Sequence, residues 1–215
     1  MSTTRPEPVR RTQSERTAST RRRALDAAVT CLAQEGFAAT TTIRVAEIAD
    51  LSRGGMLHHF PTRTALLSAV LEDIEQRLRQ LRRRGLARIP KDADPFIALT
   101  RVTWESYQGE EAIALLELMM AARGDSELAA VLQRASNALS DYQLDGVRKV
   151  ANHVGITDMA KIDAMHVLHN AAMRGLLLAR TTGTQEERLE SAIDLLDFYK
   201  AHFAAVFGSE GEKPA

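Results

Sequence analysis

The stretch Thr40-Thr41-Thr42-Ile43-Arg44-Val45-Ala46-Glu47-Ile48-Ala49-Asp50-Leu51-Ser52-Arg53-Gly54-Gly55-Met56-Leu57-His58-His59-Phe60 decides the fold. Its opening threonines offer hydroxyls that can accept hydrogen bonds from the free N–H groups of a helix start. Val45, Ala46 and Ala49 give the helix a short apolar face. Asp50-Leu51-Ser52 is a tight connection, with Leu51 directed inward and Ser52 placed to cap the next helix at Arg53. Two short helices around a turn of about three residues form a helix-turn-helix. Such a motif lays the N-terminal part of its second helix in the major groove of DNA.

Upstream, Leu25, Ala28, Val29 and Leu32 recur at helical spacing. They predict a helix capped by Ser19 or Thr20, running to Glu35 and stopped by Gly36 in a left-handed cap. Phe37 follows as a core plug, and Cys31 reads as a buried, inert thiol. A single cysteine excludes a disulfide framework and a cysteine-built zinc site.

The rest of the chain also reads as helix. Ala and Leu together number 58 against 20 for Val and Ile, and straight or small side chains lose less entropy in a helix than β-branched ones. No proline falls between Phe96 and Lys213, and no run alternates at period two, so the expectation is all-α without a sheet. No apolar run reaches the roughly 18 residues needed to cross a bilayer. The Arg-rich start lacks a signal-peptide core, which makes the cytoplasm the expected location.

The 28 basic and 28 acidic residues cancel, but unevenly. Residues 1–84 hold 15 basic and 9 acidic side chains, and the remainder holds 13 and 19. A basic head on an acidic body suits a phosphate-binding module. Residues 1–18, rich in arginine, are expected to form a mobile basic arm.

Gly36-Phe37, Thr40-Thr41, Val45-Ala46, Ala49, Ser52 through Phe60, and Leu66-Leu67 together resemble the TetR family DNA-binding domain over residues 20–80. The resemblance implies a dimeric, all-α, ligand-responsive transcription factor, most often a repressor. Its implied layout is a helix-turn-helix domain at 19–80, a ligand-binding and dimerisation bundle at 81–208, and a disordered tail at 209–215. Leu57 stands where the family usually has tyrosine, Asp50 replaces the turn glycine, and Arg63 replaces a lysine.

By family match, Arg53, Gly54, Gly55, Leu57, His58 and His59 face DNA. Arg53 is placed to read guanine, because a guanidinium matches guanine bidentately. Gly54 and Gly55 allow the backbone to approach the duplex. Thr42 and Arg63 are expected to bind phosphate from two adjacent helix starts, and Arg44 to face solvent within reach of one. Met56 and Phe60 read as core.

Thr62 is expected to cap a long helix through Leu66, Val70, Ile74, Leu78 and Leu81. Asp94-Pro95 opens another helix. Further helices are expected near 109–123, 126–153, 158–181 and 185–207, with Thr184-Gln185-Glu186-Glu187 as a capping box for the last. On that last helix, Leu189, Ile193, Leu196, Phe203 and Phe207 form one stripe. Apolar residues lying off the stripe suggest a second contact. A four-helix dimer interface is expected around Ala171, Gly175, Leu178, Leu195, Phe198 and His202. Candidate ligand contacts are Trp104, Tyr107, Met119, Met120, His166, Asn170 and Met173, the first two forming an aromatic wall. His166 and His169 share a helix face, but no thiolate or carboxylate cluster completes a metal site, so neither metal nor cofactor is expected.

Two other classes compete with the regulator: an architectural DNA binder or scaffold without small-molecule control, and an all-α enzyme using His153, His166 and His169. A filled C-terminal core would favour the former. No catalytic triad, phosphate loop or metal motif supports the latter.

Overall fold

The computed structural model describes residues 12–208, except for the side chains of 135–142. Every regular element among the described residues is helical, as expected. The order is α1 (Gln13–Ala39), α2 (Thr42–Ile48), α3 (Arg53–His59), α4 (Arg63–Leu86), α5 (Pro95–Ser106), α6 (Glu110–Ala121), α7 (Ser126–His153), α8 (Met159–Thr181) and α9 (Glu186–Phe207).

The expected caps hold for most helices. Thr41, Ser52 and Thr62 each accept a hydrogen bond from a backbone N–H in the first turn of α2, α3 and α4. Asp94 caps α5, with Pro95 at its tolerated first position.

Two expected helix starts are corrected. Helix α1 begins at Gln13, not after Ser19 or Thr20, because Thr12 and Glu15 form a reciprocal capping box. The Thr20 hydroxyl instead donates to the Arg16 carbonyl within the helix. Residues 12–18 are therefore not part of a mobile arm, and residues 1–11 and 209–215 lie outside the described region. Gln185, not Thr184, caps α9, and it does so without a side-chain hydrogen bond. The Thr184 N–H is already donated to the Ala179 carbonyl at the end of α8.

Gly36 interrupts α1 at φ +84° and ψ 175°, a region essentially restricted to glycine. The chain turns there, and Phe37 folds back onto the core, as the sequence predicts. Asp50 takes φ +50° in the turn between α2 and α3. Arg23 holds that turn by donating to the Ala49 and Asp50 carbonyls.

The N-terminal core does not end with α4. Leu25, Leu32, Val45, Met56, Phe60, Leu66, Val70 and Ile74 pack in one buried cluster with Ala114 and Leu118 of α6 and Leu128 of α7. Each such aliphatic or aromatic side chain contributes about 1.5–3 kcal/mol on burial. Two further clusters lie C-terminally. One joins Trp104 and Tyr107 to α8 and α9, and the other joins Phe96 to α7, α8 and the end of α9. Helix α4 runs unbroken across residues 80 and 81, where the two expected domains were to meet.

Candidate nucleic-acid interface and C-terminal cavity

Helix α3 rests on the N-terminal core through Met56, with Phe60 buried just after its end. Its opposite side carries Arg53, Gly54, Leu57 and His58, all exposed. Arg53 and Leu57 stand one turn apart in one row, Gly54 and His58 in the next. The Arg53 side chain has no hydrogen bond or ion pair with another described residue. A Cβ at Gly54 would meet nothing within 4 Å. Gly55 is half-buried, and a Cβ there would lie 3.2 Å from the capping Ser52 hydroxyl. Thr42 sits half-buried in the first turn of α2.

Three expected contacts are differently disposed. Arg44 is held by Glu35, with Nε 2.9 Å from Oε2, and by Glu47 at 3.1 Å. Those hydrogen bonds push its guanidinium further above the usual arginine range. Arg63 is half-buried: its Nε donates to the Thr40 carbonyl at 2.9 Å, and its guanidinium lies 4.2 Å over the Phe37 ring. It braces the entry to α2, leaving its guanidinium committed within the fold. His59 is half-buried, its ring beside His58 and Phe60. Burial, then the neighbouring His58 and Arg21, lower its pKa. Arg21, which sequence reading passed over, lies 5.5 Å over the Phe60 ring at this end of the domain.

The C-terminal helices form a partly open cavity of about 340 Å³. Its wall combines the last turns of α4 (Arg79, Arg82, Arg83, Leu86), one face of α5 (Phe96, Leu99, Val102, Thr103), the C-terminal third of α7, His166, His169 and Asn170 of α8, and Lys200 of α9. Of the expected ligand contacts, the structure brings His166 and Asn170 together there. The Asn170 amide lies 3.0 Å from His166 Nε2.

The other candidates are corrected. Trp104, Tyr107 and Met173 are buried in the neighbouring cluster with Leu177, Leu189 and Ile193. The cause is the turn of α5: Phe96, Leu99 and Thr103 share the cavity face, whereas Trp104 points away from it. Met119 packs near the Arg174 guanidinium, and Met120 is 56% exposed. Neither Met119 nor Met120 lines the cavity.

Sequence reading missed Lys200 as a cavity residue, although a signal existed. Lys200 occupies the gap between Leu196 and Phe203 in the apolar stripe of α9. It is 5% exposed, and its ammonium lies 4.6 Å from the Phe96 ring centre. Burial, against the pull of Asp197 and Asp94, lowers its pKa to about 8. His169 is likewise buried, with no hydrogen-bond partner for either ring nitrogen. Burial, then Lys200 and His166, lower its pKa to about 3.

The outer faces of α8 and α9 are apolar. Leu178, Leu195 and Phe198 are exposed, as are Ala171, Gly175 and His202. Val167, Leu168, Tyr199 and Val206 extend this surface beyond the residues named from sequence. A Cβ at Gly175 would meet nothing within 4 Å. No helix among the described residues is long and apolar enough to cross a membrane.

Comparison with known proteins agrees with the helix-turn-helix geometry. Residues 24–70 match the family described as bacterial regulatory proteins, tetR family. The HTH-type transcriptional regulator CymR of Pseudomonas putida is 32% identical over 183 residues, covering 85% of this chain and 90% of that protein. An HTH-type transcriptional repressor of Mycobacterium tuberculosis is 26% identical, covering 84% of this chain and 92% of its own length. A TetR transcriptional regulator from Chloroflexus aurantiacus shares the fold at a TM-score of 0.71 and 23% identity, over 86% of this chain and 95% of that one. The chain belongs to the TetR family of helix-turn-helix, DNA-binding transcriptional regulators.

Proposed function

We propose that this protein is a cytoplasmic homodimeric repressor that holds a two-fold-symmetric operator through α3 and releases it when a small molecule enters the cavity. The observation that carries the reading is the span of α4. Its first residue, Arg63, braces the helix-turn-helix, and its last turns, Arg79 to Leu86, wall the cavity. The 19 residue steps from Arg63 to Arg82 cover about 29 Å at about 1.5 Å each.

Two recognition helices about 34 Å apart would meet successive major grooves on one side of the duplex. The exposed apolar faces of α8 and α9 suit a dimer that fixes such a spacing. A ligand that tilts α4 within one protomer changes the spacing, and it acts by binding the two arrangements unequally. The cavity weighs against an architectural binder with a filled core. An enzyme using three histidines is disfavoured, since His153 is exposed at the end of α7 whereas His166 and His169 are buried.

Gel-shift and footprinting on the intergenic DNA flanking its gene test the proposal. A symmetric protected site, lost on adding an effector, is the expected result. No binding at moderate salt would overturn it.

A further inference from the structure

Among the described residues the cavity wall carries more positive than negative side chains, and two of its buried polar groups have no hydrogen-bond or ion-pair partner. Arg79, Arg82, Arg83, Lys149 and Lys200 line it, among the described residues, against a single carboxylate, Asp145. Asp145 is already taken by Lys149 at 2.6 Å. Arg79 pairs with Glu75 at 3.5 Å.

Lys200 is different. Among the described residues no carboxylate reaches salt-bridge distance of its ammonium. Of the two acids that influence it, Asp94 caps α5 through Oδ1, 2.7 Å from the Phe96 N–H. Asp197 meets Arg101 Nε through Oδ2 at 3.4 Å, with its Oδ1 buried and without a hydrogen-bond partner. The Phe96 ring face offers the ammonium a weak compensation. A buried charge without a contacting counter-ion is costly, and such groups normally have one.

His169, also in the lining, has both ring nitrogens buried and without a hydrogen-bond partner among the described residues. The remaining lining is largely apolar: Leu86, Phe96, Leu99, Val102, Val147, Val150 and Met165. The volume lies near the lower end of the range for small-molecule sites.

We propose that the cavity binds a small hydrophobic monocarboxylate, its carboxylate on the Lys200 ammonium and its apolar body against Phe96, Leu99 and Val102. This assignment rests on the reading of the cavity as the effector site. The ligand supplies the counter-ion that Lys200 lacks. A cationic ligand would add a charge beside Lys200 and the arginines of α4. A neutral ligand of the same shape would leave Lys200 unpaired.

Calorimetric titration of the full-length protein near pH 7 tests this with octanoate and 4-phenylbutanoate, each against its own primary amide. A charge-assisted contact predicts that at least one acid binds about ten- to a hundred-fold more tightly than its amide. Lys200→Met should abolish that preference, and Lys200→Arg should keep part of it. The melting temperature of each variant checks that it is folded. Equal binding of acid and amide, an unchanged preference in Lys200→Met, or no binding of either acid at millimolar concentration would each overturn the proposal.

The same samples, assayed for DNA release, separate this inference from the one beneath it. An acid that binds with the predicted preference but leaves the DNA complex intact supports the anion site and contradicts ligand-responsive release. A neutral compound that releases DNA where neither acid binds overturns the anion site and leaves regulation standing.

Discussion

Glu117 of α6 accepts a hydrogen bond from the backbone N–H of Phe37, 3.1 Å from its Oε2. On its other side the Phe37 ring carries the Arg63 guanidinium. One residue at the end of α1 is thereby tied both to the helix that opens onto the cavity and to the C-terminal bundle. Nearby, Glu110 of α6 accepts from Thr30 at 2.8 Å and from Gln34 at 2.7 Å. Glu117→Ala leaves the Phe37 N–H without its acceptor. The expected loss is about 1–3 kcal/mol, read as a fall of several degrees in melting temperature. Glu117→Gln keeps an acceptor oxygen and should recover most of it.

Two glycines should respond to alanine in opposite ways. Gly36 sits at φ +84°, where any side chain is strained, so Gly36→Ala should cost about 1–3 kcal/mol in thermal or urea unfolding. Gly54 lies in regular helix with open space around it. There alanine should stabilise the free protein by up to about 1 kcal/mol, yet weaken DNA binding, because the added methyl stands on the face proposed to meet the duplex. Tighter or unchanged DNA binding by Gly54→Ala would count against that face.

The cavity gives the protein a pH signature. His169 has its pKa lowered to about 3 from 6.5, so the unfolded chain takes up this proton first as pH falls. Stability should drop through the window from about pH 6.5 to 3, and His169→Leu should flatten that drop. Lys200 has its pKa lowered to about 8 from 10.5. Between those values the unfolded chain holds the proton that the folded chain has shed, so stability should rise with pH. Lys200→Met removes the rise and raises the melting temperature at pH 7. Chemical denaturation across pH checks both signs.

Phe198 is 64% exposed on α9, in line with Leu195 and His202. If this face joins two copies, Phe198→Glu buries a charge without a partner and should shift the protein toward monomer by about 2 kcal/mol or more. Sedimentation or light scattering reads the change. A variant that stays dimeric at low concentration would place the interface elsewhere.

Much of the N-terminal domain was legible because local chemistry dictates it. Thr41, Ser52 and Thr62 cap where hydroxyls precede apolar faces, and Gly36 bends where only glycine can. What the sequence hid was pairing between distant residues. The Arg44–Glu47 pair, three residues apart on one helix, was open to reading, but nothing local tells that Glu35 also holds Arg44, or that Arg63 turns inward to Phe37. The cavity was harder still. Trp104 and Tyr107 attract attention as aromatics, but the rotation of α5 buries them in another cluster. Lys200 stood in plain view as a charged break in an apolar stripe, and such a break is a better sign of a lined cavity than an aromatic pair.

The central claim is that the exposed face of α3 reads DNA, with Arg53 as its base-reading side chain. Footprinting of wild type and Arg53→Ala on the flanking intergenic DNA tests it most directly, with circular dichroism to show that both are folded. Wild type should protect a two-fold-symmetric site, and Arg53→Ala should bind it more weakly by about 1–3 kcal/mol, roughly ten- to a hundred-fold, with relaxed preference at one base pair of each half-site. Equal protection by both proteins, or a uniform loss on every sequence with no change in preference, would contradict it.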